Sequence, residues 1–187
     1  MKLNLKEFED TLLAPSPSLI EDIKQIEGDI MFLGIGGKMG PSMAKLTVRA
    51  LKAAGIDKKV IGVSRFSSGR LREELENEGI STIACDLLNE EELKKLPQVA
   101  NIIYLAGHKF GTTGNEDFTW AMNTYLPGLV SSHFKNSKII AFSSGNVLPF
   151  VPIKEGGVSE EYTPSPIGEY AQSCLGRERI FEYFSKK

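Results

Sequence analysis

An α/β fold built on a parallel sheet is what this 187-residue chain encodes, and three observations predict it. Short apolar runs alternate with amphipathic stretches along the chain, an order that builds a parallel sheet with crossover helices. The first apolar run ends in a glycine-rich turn, Gly34-Ile35-Gly36-Gly37-Lys38-Met39-Gly40, that opens straight into a helical pattern. A later run, Ala100 to Ala106, is apolar apart from Asn101 and Tyr104, which suits a strand covered on both faces. The expected architecture is a Rossmann-type doubly wound parallel sheet with helices on both faces, over residues 28–187. A short helical N-terminal extension over residues 1–27 precedes it.

The elements are read in order. Asn4 to Leu13 places Leu5, Phe8 and Leu12 on one helical face, with Asn4 and Glu7 at capping-box spacing. Ser18 and Glu21 repeat that spacing before Ile23 and Ile26. The first strand is Ile30 to Leu33. A helix follows from Pro41 to Ala54, with Pro41 suited to its first turn and Gly55 to its C-terminal cap. Val60 to Ser64 is the second strand, Leu71 to Glu78 a helix and Thr82 to Cys85 the third strand. Asn89 and Glu92 cap a short helix ending near Pro97. Ala100 to Ala106 is the fourth strand. Thr113 and Glu116 cap a long helix through Val130. Lys138 to Ser143 is the fifth strand, a proline- and glycine-rich loop runs from Pro149 to Gly168, and a last helix spans Glu169 to Phe184.

Composition narrows the function. About 41% of residues are apolar and 25% charged, with a net charge of −2 and no basic block, so nucleic acid and anionic membrane are not expected partners. Cys85 and Cys174 stand far apart, without a CxxC or clustered histidines, which argues against a metal site or a disulfide scaffold. The N-terminus, MKLNLKEFEDTLL, is charged and amphipathic, unlike a signal peptide. No apolar run approaches the roughly twenty residues needed to cross a bilayer. A cytoplasmic location is the expectation.

The glycine turn carries the most specific signal. Gly34, Gly37 and Gly40 have GxxGxxG spacing, and Gly36 adds a GxG reading. Glycine lets the backbone approach a ligand, and the helix that follows aims its free N–H groups and positive dipole end at the turn. In a strand–turn–helix setting this pattern holds the pyrophosphate of a dinucleotide, with Lys38 and Met39 in the same turn. Thirty residues past Gly34 the second strand ends in Ser64-Arg65. An NAD site usually has an acidic residue there. A hydroxyl beside a cation suits the 2′-phosphate of NADP instead, and Ser67, Ser68 and Arg70 add to that pocket. NADP is therefore the expected cofactor and NAD the alternative.

From Gly28 to about Tyr183 the chain resembles the extended short-chain dehydrogenase/reductase family, of the NAD-dependent epimerase/dehydratase type. Cys85-Asp86-Leu87 matches the strand-end aspartate that in the family contacts adenine. Ile103-Tyr104-Leu105-Ala106-Gly107 resembles the HLAA segment beside the cofactor, and Asn123 falls at a structural asparagine, counted with Leu105, Ala106 and Gly107 among the cofactor contacts that the resemblance implies. Phe142-Ser143-Ser144-Gly145-Asn146-Val147 resembles TSSAAV, which puts Ser144 at the catalytic serine position. Tyr170-Ala171-Gln172-Ser173-Cys174 resembles YxxxK. The resemblance implies an oxidoreductase or epimerase acting on a sugar-like or hydroxy substrate, with Tyr170 exchanging a proton and Ser144 bonding the same oxygen.

Cys174 departs from that pattern at the lysine position, where lysine would bind the nicotinamide ribose and lower the tyrosine pKa. Arg177, seven residues past Tyr170, lies on the same helix face and offers positive potential. The family continues beyond the tyrosine helix, so the C-terminal substrate region is expected to be absent or truncated. Two functions stay open: an enzyme of this type, or a dinucleotide-binding or redox-sensing module that does not turn over. In the resembling family the helices corresponding to 113–130 and 169–184 pair across a two-fold axis. Here they carry Phe118, Trp120, Met122, Tyr125, Leu175, Ile180, Phe181 and Phe184, which implies a homodimer. His108 and His133 read as structural or surface residues.

Overall fold

The computed structural model describes residues 4–67 and 69–187. Met1–Leu3, Ser68 and the side chains of Leu5 and Lys6 lie outside the described residues. Contacts divide the chain into two compact units, one of Met1–Asp86, Pro97–Leu105 and Asn136–Ile140, the other of Leu87–Leu96, Ala106–Lys135 and Ala141–Lys187.

The first unit holds the sheet, whose five strands are β1 (Ile30–Leu33), β2 (Val60–Ser64), β3 (Ser81–Ala84), β4 (Asn101–Tyr104) and β5 (Lys138–Ala141). They lie in the order β3-β2-β1-β4-β5. β1 pairs in parallel with β2 and β4, setting Leu33 beside Val63 and Tyr104, and β2 pairs in parallel with β3. This is a Rossmann-type parallel α/β fold. Every residue of β1 is buried, as befits the centre of such a sheet. β4 and β5 end earlier than their apolar runs: β4 stops at Tyr104 and β5 at Ala141. Apolar content marks burial, and burial continues past the last ladder position at Ala106.

Helix α1 (Leu5–Leu12) and α2 (Pro17–Lys24) form the N-terminal extension, and they pack into this unit. Leu13 and Ile23 are buried, and burial of one such side chain contributes about 1.5–3 kcal/mol. Lys45–Glu9 and Arg49–Asp10 ion pairs, each 2.8 Å, link α1 to α3 (Gly40–Ala54). The α2 cap is Ser16, whose hydroxyl accepts the Leu19 N–H, rather than Ser18; Pro17 then takes the first helical position. Helix α3 buries Ala44, Val48 and Leu51 and ends at Gly55, whose φ of +69° forms the left-handed cap. α4 (Gly69–Asn77) packs beside β3.

The second unit is helical. α5 (Glu90–Leu93) is capped by Asn89, whose side chain accepts the N–H groups of Glu91 and Glu92 and donates to Glu92 Oε1 at 2.9 Å. The long helix expected over 113–130 is three segments: α6 (Glu116–Trp120), a π-helical turn (Ala121–Tyr125) and α7 (Leu126–His133). It starts at Glu116 behind Asn115, not at Thr113. Pro127 explains the π turn. A proline two residues into α7 cannot donate to Asn123 and its ring crowds that carbonyl, so the backbone widens and the Leu126 N–H bonds Ala121 O, five residues back. α8 (Gly168–Ser185) completes the unit.

Candidate functional site

In the first unit the turn after β1 carries four glycines, and the fold requires glycine at three of them. Gly34 has φ +87°, and its N–H and that of Ile35 bond Val63 O at 2.9 and 3.1 Å, which ties the turn to β2. A Cβ on Gly40 would lie 2.3 Å from Ile35 O, so the start of α3 packs on the turn only without a side chain. A Cβ on Gly37 would meet nothing closer than Gly34 O at 3.5 Å, so the protein itself does not require glycine there. A Cβ on Gly36 would lie 2.5 Å from Ser64 Oγ. Gly36, Gly37, Lys38 and Met39 are exposed, and Met39 at the α3 N-cap makes no side-chain cap bond. The positive end of a 15-residue helix is thus left open beside an exposed glycine backbone, an anion-favouring arrangement.

Ser64 ends β2, half-buried against Gly36, and Arg65 next to it is exposed without an ion pair among the described residues. Phe66 has φ +45°, a strained conformation for a bulky residue, as the chain leaves the strand. Asp86 is half-buried, one residue after Cys85, whose N–H bonds Ser64 O at 3.0 Å. Leu105 is half-buried and donates to Leu33 O at 2.8 Å. Ser68, offered by the sequence to the Arg65 pocket, falls outside the described residues.

In the second unit a polar cluster gathers around α8. Asn123, in the π turn, is fully buried and uses its whole amide on the protein. Oδ1 accepts from the His108 N–H and from Arg177 Nη2, both at 2.8 Å. Nδ2 donates to His108 O and Ser173 Oγ, both at 3.0 Å. The sequence reading placed Asn123 among the cofactor contacts; the geometry makes it part of the frame, with no hydrogen-bonding position left over. Arg177 is 7% exposed, and its Nη1 donates to Phe142 O at 2.8 Å. Gly107 faces this guanidinium, since a Cβ there would lie 2.7 Å from Arg177 Nη2 and 3.0 Å from Asn123 Oδ1. Leu87 and Ala106 are buried and Gly107 is exposed.

The structure brings Tyr170 and Ser144 together. The Tyr170 phenol, partly buried on α8, feels the Ser144 hydroxyl and the Cys174 thiol beside it. Burial pushes the phenol above its ordinary pKa and Cys174 adds to the rise, while Ser144 and the Arg177 charge pull it down. Cys174 is completely buried. Ser144 also accepts the Asn146 N–H at 3.2 Å, which holds its hydroxyl at the mouth of the loop after β5. His108 is structural: its Nδ1 bonds Thr119 Oγ1 at 3.0 Å and its ring meets Phe118 edge-on. His133 lies against Phe134, with Nε2 3.4 Å from Leu96 O.

Sequence reasoning missed Ser173 and, although it named Arg177, the burial of that arginine. Ser173 is buried and donates to Tyr170 O at 2.8 Å, and its own carbonyl accepts from Thr124 Oγ1 at 3.0 Å. The burial of Arg177 has no sequence signal, since arginine is ordinarily a surface residue. Among the described residues no group of histidines, cysteines or carboxylates is arranged to hold a metal, and no helix is long and apolar enough to cross a membrane.

No family model matches the chain. Over 151 residues it is 31% identical to a 2-alkyl-3-oxoalkanoate reductase of Shewanella oneidensis, a match covering 79% of this chain and 36% of that protein. Its fold resembles the UDP-Glc/GlcNAc 4-epimerase of Campylobacter jejuni at TM-score 0.70 and 21% identity, covering 86% of this chain and 50% of that one. A UDP-glucuronic acid 4-epimerase from Bacillus cereus in complex with NAD aligns at TM-score 0.65 and 20% identity, over 85% of this chain and 53% of that one. A short-chain dehydrogenase/reductase superfamily protein from Agrobacterium tumefaciens with bound NAD aligns at 0.63 and 21%, over 84% and 45%. The chain spans about a third of the curated relative and about half of these solved structures.

Proposed function

We propose that this chain binds a nicotinamide dinucleotide at the Gly34–Gly40 turn and carries the proton-transfer residues of an oxidoreductase or epimerase for a sugar-like or hydroxy compound. The observation that carries the reading is Gly37. It is exposed, sits before an uncapped helix start, and is free of any packing reason to be glycine, which leaves the close approach of a ligand as the reason. Gly36 and Lys38 line the same pyrophosphate position. Ser64 and Arg65 favour NADP over NAD at the adenosine ribose, with Asp86 toward the adenine and Leu105, Ala106 and Gly107 along the cofactor. A bound nicotinamide ring would supply or accept a hydride.

The protein's own part is the proton. In reduction the Tyr170 O–H bond breaks and its proton goes to the substrate carbonyl oxygen; in oxidation the tyrosinate takes the proton from the substrate hydroxyl. Ser144 lies beside the phenol and, in this reading, hydrogen-bonds the reacting oxygen. The relatives support the reaction class, since one is a reductase by name and others are epimerases crystallised with NAD. A second reading, a binding or redox-sensing module, is favoured by one observation: the Tyr170 phenol is held above its ordinary pKa, beside a buried cysteine where the resembling family has lysine. Calorimetric titration with NADP(H) and NAD(H), followed by a turnover screen on hydroxy and keto sugars, separates these. Saturable binding with Tyr170-dependent turnover supports the enzyme, binding without turnover supports the module, and no binding removes both.

We further propose a homodimer through 116–133 and α8. Phe118, Tyr125 and Tyr183 are 38%, 55% and 53% exposed on these helices, and Trp120, Leu175 and Gly176 line a groove there.

A further inference from the structure

We propose that Arg177 supplies the fixed positive charge that assists proton transfer at the Tyr170 oxygen, and that Gly107 and Cys174 are small in order to admit its guanidinium. The inference rests on the reading of Tyr170 as the proton-transfer group. Three observations meet at this guanidinium. It is 93% buried, yet among the described residues no carboxylate pairs with it; its partners are the Phe142 carbonyl, the Asn123 amide oxygen and, at 3.9 Å, the Cys174 sulfur. Its Nε is buried without any partner. A buried cation is ordinarily neutralised by an anion, so this one is placed where an anion is to be formed. Space for it has been cleared on two sides. Gly107 stands where the sequence pattern has alanine, and a Cβ there would lie 2.7 Å from Nη2; Cys174 stands where the pattern has lysine, and its sulfur touches the same Nη2. A lysine at 174 and an arginine at 177 would put two cations in one pocket, so the departures at 107, 174 and 177 belong together. The cation has moved along α8 from the fourth to the seventh position after Tyr170.

The groups facing the phenol are few. On α8 they are Cys174 and Arg177, and from the loop after β5 the Ser144 hydroxyl; Glu169 is turned to the Trp120 indole N–H and Glu178 to the Ser143 hydroxyl. Among the described residues Arg177 is the one cation acting on the phenol, and its charge favours tyrosinate against the burial that opposes it. The test reads Tyr170 directly, in protein without dinucleotide, by NMR titration of [13Cζ]-tyrosine with the Tyr170 signal assigned through Tyr170→Phe. Arg177→Gln keeps a donor for Asn123 and removes the charge; we expect the Tyr170 pKa to rise by about one unit or more, and Arg177→Lys to hold it near the unmodified value. Should Arg177→Gln fail to fold, ligation of a synthetic Cys174–Lys187 peptide to residues 1–173 allows citrulline at position 177, a neutral near-isostere, with the same rise expected. An unchanged Tyr170 titration in a folded Gln or citrulline protein, or an equal change with Lys, would overturn the proposal and leave Arg177 as a structural residue. Calorimetry on the same samples keeps the two claims apart, because dinucleotide binding at the glycine turn neither requires nor reports this coupling.

Discussion

Substituting the glycines of the turn one at a time separates ligand approach from folding. Gly37→Val adds a branched side chain where the nearest protein atom to a Cβ is Gly34 O at 3.5 Å, ordinary van der Waals contact. Gly37 has no positive φ, so no backbone strain is added either. The expected stability change is therefore that of a surface substitution, within about 0.5 kcal/mol. Dinucleotide affinity should fall at least a hundredfold, about 2.8 kcal/mol, because the pyrophosphate must come within contact of that backbone. Gly40→Ala gives the opposite split. Its Cβ would lie 2.3, 2.7 and 2.8 Å from the O, Cα and C of Ile35, all backbone atoms that cannot swing aside. Overpacking of this kind costs about 1–3 kcal/mol, roughly 2–12 °C in Tm for a chain of this size. Isothermal calorimetry gives the affinities, and thermal unfolding followed by circular dichroism gives the stabilities. A folded Gly37→Val protein that binds dinucleotide with unmodified affinity would refute the reasoning, and so would a Gly40→Ala protein of unchanged Tm.

Arg65→Ala is expected to shrink or reverse a preference for NADP over NAD, measured as the ratio of the two Kd values; equal affinities in the unmodified protein would make Arg65 an ordinary surface cation. Because the Tyr170 phenol lies above its ordinary pKa, alcohol oxidation, which needs tyrosinate, should rise about tenfold per pH unit through the neutral and mildly alkaline range, whereas carbonyl reduction, which uses the phenol, should show no such rise. Tyr170→Phe should abolish both, and a steady-state pH profile checks the pair. Lysine at 174 looks from the sequence like a simple repair, but the position is fully buried and 3.9 Å from Arg177 Nη2, so Cys174→Lys alone should destabilise by about 3 kcal/mol or more. Combined with Arg177→Ala it should fold again, as thermal unfolding of the two variants would show. Light scattering at tens of micromolar should give twice the chain mass, and Tyr125→Glu should return it to a monomer; a monomer from the start would assign the exposed aromatics another role.

Much of the frame was legible because it follows from short-range chemistry. β1 and β2 coincide with their apolar runs, Gly55 closes α3 as a C-terminal glycine should, and Asn89 caps α5. The glycine turn reads from the sequence because its spacing and its place between strand and helix are both visible there. The π turn was missed although Pro127 announces it: a proline inside a helical pattern demands a break or a wider turn, and apolar periodicity alone carries the pattern straight through it. Caps were misplaced by two residues where several hydroxyl or amide residues crowd a helix start, as at Ser16 against Ser18 and Asn115 against Thr113. In the second unit the sequence names two residues that the structure brings together, Ser144 and Tyr170, but not the electrostatics around them. Nothing in a sequence says that Arg177 is buried, that Asn123 spends its whole amide on His108, Ser173 and Arg177, or that Gly107 is a space left for a guanidinium. Those facts arise from packing between segments distant in the chain.

The claim that the Gly34–Gly40 turn holds a nicotinamide dinucleotide is tested most directly by titrating the 187-residue chain into NADPH and NADH and following nicotinamide fluorescence. The account predicts saturable binding of one dinucleotide per chain, displaced by the oxidised form and lost in Gly37→Val. Fluorescence that stays linear to millimolar protein, or saturation that persists in Gly37→Val, would contradict it.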